Sequence, residues 1–265
     1  SDLIMTIAFN SSPTISGGNA KDCVTRGTGN EIVMLVDDNS VRRYSLTTGA
    51  QVGSSVTGVS NVNAMSMINT NLVALSSNGV QTTKIVDLIA LTSTSFTSMD
   101  YCPTTFKGQQ LACDRTAGVA IGLTFTTPPG QLLKFTASGP ACSLINLTTR
   151  YLGSANRNPT TIVSMGDGVG KFIIGCQDGR IIEIDSNGVE QKSYLLDPPK
   201  TGWRDHANSN FDQTVFSMHY DTRGFLLVSC YDGFIYLVNH LTGTTLQRRR
   251  VNNAKNNTGA ILSQD

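Results

Sequence analysis

The sequence predicts an all-β chain folded as a single β-propeller of about six blades, with five to seven compatible with its spacings. Each blade is expected to be a four-stranded antiparallel sheet. Two observations carry this expectation. An apolar run followed by a tight turn and a second β-rich run recurs along the chain, and the turn falls at comparable intervals each time.

Five segments share the pattern. Ile32-Val33-Met34-Leu35-Val36 runs into Asp37-Asp38-Asn39-Ser40, and residues 72–75 run into Ser77-Asn78-Gly79. Leu111-Ala112-Cys113 leads to a looser turn ending at Gly118. Phe172-Ile173-Ile174-Gly175-Cys176 leads to Gln177-Asp178-Gly179, and residues 225–230 lead to Tyr231-Asp232-Gly233. Asn-Gly and Asp-Gly between β-rich runs signal a hairpin, read here as type I′ turns with positive φ at both central residues. Further strands follow, ending at Ser186-Asn187-Gly188, Leu241-Thr242-Gly243 and Thr47-Thr48-Gly49. Each unit is therefore a meander of at least three strands.

Anchored on Ser40, Gly79, Gly118, Gly179 and Gly233, the intervals are 39, 39, 61 and 54 residues. A propeller blade takes about 40–45 residues. The 54-residue interval contains the polar insertion 197–213. The 61-residue interval holds either a blade with a long outer hairpin over residues 132–147 or a reduced extra blade. Residues 3–9 are expected to close the ring by completing the last blade, since closure protects strand edges. That assigns residues 1–250 to the propeller and 251–265 to a polar tail. A β-sandwich with coincidental turns is the alternative.

The strand and turn from Tyr231 to Asn239, followed by Leu241-Thr242-Gly243, resemble the repeat of quinoprotein-like propellers, and residues 177–188 form a second copy. The resemblance implies a propeller fold and leaves the chemistry open. The tryptophan-docking pattern of the quinoprotein dehydrogenases is missing, since Trp203 is the single Trp, and no Trp-Asp pair of the WD40 type closes any unit.

Apolar residues make up 39% of the chain, enough for a core, whereas charged residues make up only 15%. Solubility therefore rests largely on Ser, Thr, Asn and Gly. The net charge of +1 supplies no field for nucleic acid, and no apolar run is long enough for a membrane span. The residues 1–9 lack the basic start of a signal peptide, although a processed secreted chain would look the same. Arg248-Arg249-Arg250 would alternate between two faces of an extended segment, which suits a charged strand edge or a partner contact.

Cys176 and Cys230 lie three residues before their turn glycines, where the second unit has Ser76, and are read as buried small hydrophobes. The spacing of Cys102 and Cys113 allows a local disulfide outside the cytosol. The insertion 197–213 is the candidate binding loop, carried by Trp203, Arg204, Asp205, Asn208, Asn210 and Asp212. Asn208, Asn210 and Asp212 alternate like the start of a calcium loop. The required glycine and glutamate do not follow, which leaves Asp205 and Asp212 as candidates for a looser calcium site. His206, His219 and His240 do not form a metal-ligand spacing. The glycine-rich run from Gly166 to Gly170 precedes a strand and reads as a turn.

Three functions are compatible with these residues. The first is a non-enzymatic structural or binding propeller of a virion or other surface assembly, as a spike, a tail part or a receptor-binding unit. Its Ser/Thr/Asn/Gly-rich composition resembles that of viral surface components. Its partners would be other subunits or a surface receptor, and its place would be the virion or the extracellular space. The second is a peptide-binding scaffold in the cell or envelope, which keeps a cytoplasmic location open. The third is a lyase- or lactonase-like propeller enzyme with a channel metal. Acidic residues in the clear repeats, such as Asp178 and Asp232, fall in turns where Asp is favoured for backbone reasons, which weighs against the third.

Overall fold

A computed structural model describes residues 19–62, 64–76, 82–97, 110–124, 131–139, 141–148, 159–196 and 214–250. The described chain is all β, as expected. It forms five antiparallel sheets in sequence order, at the lower end of the expected blade count.

Blade 1 holds β1 (Ala20–Thr25), β2 (Glu31–Val36) and β3 (Ser40–Ser45). Blade 2 holds β4 (Ala64–Met67), β5 (Leu72–Ser76), β6 (Thr82–Asp87) and β7 (Thr92–Thr97). Blade 3 holds β8 (Leu111–Asp114), β9 (Val119–Leu123), β10 (Gln131–Thr136) and β11 (Ala141–Asn146). Blade 4 holds β12 (Pro159–Ser164), β13 (Phe172–Cys176), β14 (Arg180–Ile184) and β15 (Glu190–Leu195). Blade 5 holds β16 (Val215–Asp221), β17 (Phe225–Cys230), β18 (Phe234–Asn239) and β19 (Thr244–Arg250). Each is a plain meander in which sequence neighbours pair. Blade 1 has an irregular fourth line instead of a strand. Val41 and Val56 exchange both backbone bonds (2.8 and 2.9 Å), and the Val52 amide donates to the Arg43 carbonyl at 2.8 Å. Gly53, at φ +70°, interrupts this run.

The strands are apolar on both faces, and the sheets of blades 2, 3 and 4 are each sandwiched between two others. Val33 and Leu35 of blade 1 share a core with Val73, Leu75 and Val86 of blade 2. Ala74 and Ile85 meet Leu133 and Phe135 at the next seam, and Ile121 and Leu132 meet Phe172 and Ile174 at the third. Ile173 and Ile181 meet Leu226, Val228 and Tyr236 at the fourth. The first strands β1, β4, β8, β12 and β16 touch in succession and form the inner wall.

Two sequence expectations are corrected. The turns after β2, β13 and β17 are not type I′. Only the last residue of each has positive φ: Asn39 (63°), Gly179 (79°) and Gly233 (83°). Their amides donate to Val36, Cys176 and Cys230 carbonyls at 3.1–3.3 Å, the pattern of a type I turn followed by one left-handed residue. The aspartate before that residue caps the turn. Asp38, Asp178 and Asp232 each accept from the amide two residues on, at 3.2, 3.1 and 2.9 Å.

The second correction concerns Gly118, which lies between the first and second strands of its blade. Gly179 and Gly233 lie between the second and third. Second strands begin at residues 31, 72, 119, 172 and 225, so the spacing is 41, 47, 53 and 53 residues. The 61-residue interval came from comparing different turns. It contains no extra blade, and the outer hairpin expected over 132–147 is β10 and β11.

Cys176 and Cys230 end β13 and β17, fully buried, and burial pushes both thiols well above their ordinary range. Cys113 is a free thiol here, and Cys102 lies outside the described residues. Residues 1–18, 197–213 and 251–265 also lie outside them, and with them the N-terminal strand, the binding loop and the tail.

Blades 4 and 5 pack tightly at Gly175, where a Cβ would stand 2.5 Å from Val215 Cγ1 and 3.0 Å from Thr161 Cγ2. Gly175→Ala is expected to cost about 1–3 kcal/mol through overpacking, measured by denaturant unfolding. A neutral outcome would show that the seam yields.

Candidate functional site

An antiparallel meander puts the first and third turns of every blade at one end of the ring. The second turns and the connections to the next blade lie at the other. The two ends differ sharply. At the first, every connection is short: Arg26–Asn30, Ile68–Asn71, Arg115–Gly118, Met165–Lys171 and Thr222–Gly224 join first to second strands. At the second end, the connections 98–110, 147–158 and 196–214 begin and end. The expected binding loop belongs to this loop end, although Trp203, Arg204, Asp205, Asn208, Asn210 and Asp212 lie outside the described residues.

The base of that loop is rigid. Leu196 and Thr214, the residues flanking it, are both buried. The Leu196 amide donates to the Gly179 carbonyl at 3.1 Å, and the Tyr231 amide donates to the Thr214 carbonyl at 2.9 Å. Thr214 Oγ1 also donates to the Gln177 carbonyl at 3.1 Å, and Thr160 Oγ1 to the Val215 carbonyl at 2.6 Å. The loop therefore springs from the turns 177–179 and 231–233. Around them stand the stacked rings of Phe216 and Tyr231 (5.6 Å), and Tyr236, whose hydroxyl donates to Asp232 at 2.8 Å. Gln177 Oε1 is buried there with no hydrogen-bond partner among the described residues. Aromatic faces, two turn carboxylates and an amide acceptor can recognise a polar protein surface.

The short-turn end holds the ring together. Asp114, at the close of β8, accepts from the amides of Thr116 and Ala117 in its own turn, both at 3.1 Å. It also accepts from Gly168 (2.8 Å) and Gly170 (3.1 Å) of blade 4. Burial opposes its charge, but these donors hold its carboxyl below the usual range. The glycine-rich run is thus a turn, as expected, and its positive-φ glycines turn two amides onto a neighbouring blade. Arg26 Nε donates to the Thr70 carbonyl (2.8 Å), and the Arg115 guanidinium reaches the Thr25 carbonyl of blade 1.

Between blades 4 and 5, three side chains form a line that sequence reading did not find. Tyr194 Oη lies 2.8 Å from His240 Nδ1, and His240 Nε2 lies 3.0 Å from Glu183 Oε2. Lys171 Nζ stands 3.3 Å from Glu183 Oε1, and the Tyr220 ring meets the imidazole edge-on. The His240 hydrogen bond, then Lys171, outweigh burial and lower the Glu183 carboxyl; burial and the Glu183 charge raise the Tyr194 hydroxyl. The two ring nitrogens thus each face one hydrogen-bonding neighbour. Such a line resembles a proton relay in its residue types. His240 is 1% exposed, and the line links blade 4 to blade 5. Among the described residues no group of three or more His, Cys, Asp or Glu side chains is placed to hold a metal ion. The calcium candidates Asp205 and Asp212 lie outside them.

Arg248, Arg249 and Arg250 lie on β19, the outer strand of blade 5, all exposed, with Arg248 over the Phe234 ring at 5.5 Å. This is a charged strand edge.

No family model matches the chain, and no curated protein matches it. Among solved structures, the chain is similar to the WD40 β-propeller domain of Doa1. Identity is 15%, the match covers 90% of this chain and 70% of that one, and the TM-score is 0.58.

Removing the Asp114 carboxylate orphans the Gly168 and Gly170 amides, so Asp114→Ala is expected to cost about 2–3 kcal/mol, read by denaturant unfolding. A loss no larger than that of Asp221→Ala, whose carboxylate among the described residues serves its own turn and Arg223, would refute the inter-blade role.

Both Asp114 and Glu183 have folded pKa values lowered from their ordinary ones. The stability they contribute is present above those ordinary values and is lost as pH falls through the folded ones. The melting temperature of the wild type should fall more steeply below about pH 4.5 than that of Glu183→Gln. Parallel curves would remove Glu183 from the account. At this low identity the structural likeness shows the fold alone: the chain is a β-propeller.

Proposed function

We propose that the protein is a non-catalytic recognition propeller that binds a protein partner at its loop end, and that it works within a virion or other surface assembly. The observation that carries this reading is the division between the two ends of the ring. One end spends its side chains on ties between blades, with short turns. The other receives every long connection on a rigid base, an arrangement that frees sequence for recognition. The charge-poor, Ser/Thr/Asn/Gly-rich composition supports an extracellular or particle-bound setting. The enclosed Tyr194–His240–Glu183 line gives no support to catalysis.

A photo-crosslinking residue placed at Tyr231 (loop end) or at Leu241 (short-turn end, 69% exposed) tests the reading in the native source. Adducts from Tyr231 alone, on a protein that cosediments with a particle, are expected. Adducts from Leu241 alone, or a chain that sediments only as a free monomer, would contradict it. Within the loop, Arg204→Ala combined with Asp205→Ala should weaken that adduct while leaving the melting temperature within about 2 °C, as for surface changes in a domain of this size. A large fall in melting temperature would make the segment structural instead.

A further inference from the structure

Four of the five apolar clusters join two blades, and the fifth does not. Met34, Val36 and Tyr44, with Ile32 beside them, line the face of blade 1 turned away from blade 2. They are buried, yet no residue of another described blade joins them. Blade 5 has a matching face. Phe225 and Leu227 on β17, with Ile235 and Leu237 on β18, alternate with residues packed on blade 4 and are half-buried. Ser217 Oγ and His219 Nε2 point the same way from β16, buried with no hydrogen-bond partner among the described residues. The inner strands β1 and β16 do not pack on one another as every successive pair of inner strands does. Blades 5 and 1 therefore do not share a seam of the kind that joins the other successive blades.

We infer that these two faces bound a strand-accepting slot occupied by residues 1–18 and 251–265 of the same chain, which build a sixth layer between blades 5 and 1. The chain enters blade 1 at Ala20 and leaves blade 5 at Arg250, and both points lie at the loop end. A six-residue strand spans about 20 Å, so eighteen residues can run the height of the slot and return. Residues 3–9, Leu-Ile-Met-Thr-Ile-Ala-Phe, are apolar on both faces of a strand, as a layer between two apolar sheets requires. Two apolar faces left without a neighbour would otherwise be an aggregation hazard.

Hydrogen exchange on the full chain tests the slot. Amides of residues 3–9 are expected to exchange at least about 100-fold more slowly than unstructured ones, in a monomer and independently of concentration. Ile7→Asp is expected to accelerate exchange in β2, β17 and β18 while leaving β13 and β14 unchanged, which separates loss of the slot from global unfolding. Three results would overturn the inference: unprotected residues 3–9 in a monomer, no response of β2 and β17 to Ile7→Asp, or protection of those strands that rises with concentration. The last would assign the slot to a second copy of the chain.

Discussion

Each blade of this protein is apolar on both faces, so no blade can stand alone. Burying one face of a four-stranded sheet leaves the other in water, at about 25 cal/mol per Å² of apolar surface. The solution is to repeat the sheet until every face has a neighbour. Val33 and Leu35 look one way and Met34 and Val36 the other, which commits blade 1 to two partners from five residues of sequence. The rest of the architecture follows from this demand.

Packing of smooth apolar faces does not set their angle or height, and polar ties supply that registration. They gather where the chain turns most tightly. Asp114 joins the turn of blade 3 to the glycine amides of blade 4, and Glu183, His240 and Tyr194 join blade 4 to blade 5. Each tie uses a group whose burial would be costly without partners, so a slipped blade loses more than apolar contact. The opposite end is tied at the strand ends, as by Thr214 on the Gln177 carbonyl and Thr160 on the Val215 carbonyl, while the connections beyond those ends are left free of registration. Its connections vary in length without disturbing the sheets, as loop closure costs grow only slowly with length.

The blade repeat was legible because its turn chemistry is local. Asp178-Gly179 and Asp232-Gly233 carry both the side-chain cap and the left-handed residue within three positions. The small slots at Cys176 and Cys230 were legible for the same reason. Blade 3 misled because the run before Gly118, Leu111-Ala112-Cys113, has the apolar character of a second strand; its true second strand, β9, starts after that glycine. The short first strands β8 and β4, of four residues each, give too little pattern to mark a blade's beginning. The fourth line of blade 1 was illegible because two isolated bridges around Gly53 leave no periodicity. The inter-blade ties were hidden by separation: Glu183 and His240 lie 57 residues apart, and Asp114 and Gly170 lie 56 apart. Nothing in a single turn motif announces a partner on the next blade.

The central claim is that registration belongs to the short-turn end and variability to the loop end. A short Gly-Ser segment inserted into one connection at a time, followed by thermal unfolding, tests it most directly. Insertion within 98–109 or 149–158 should leave the melting temperature nearly unchanged, while insertion between Arg115 and Gly118 or between Asp167 and Gly170 should abolish cooperative unfolding. Equal tolerance at both ends would contradict the account.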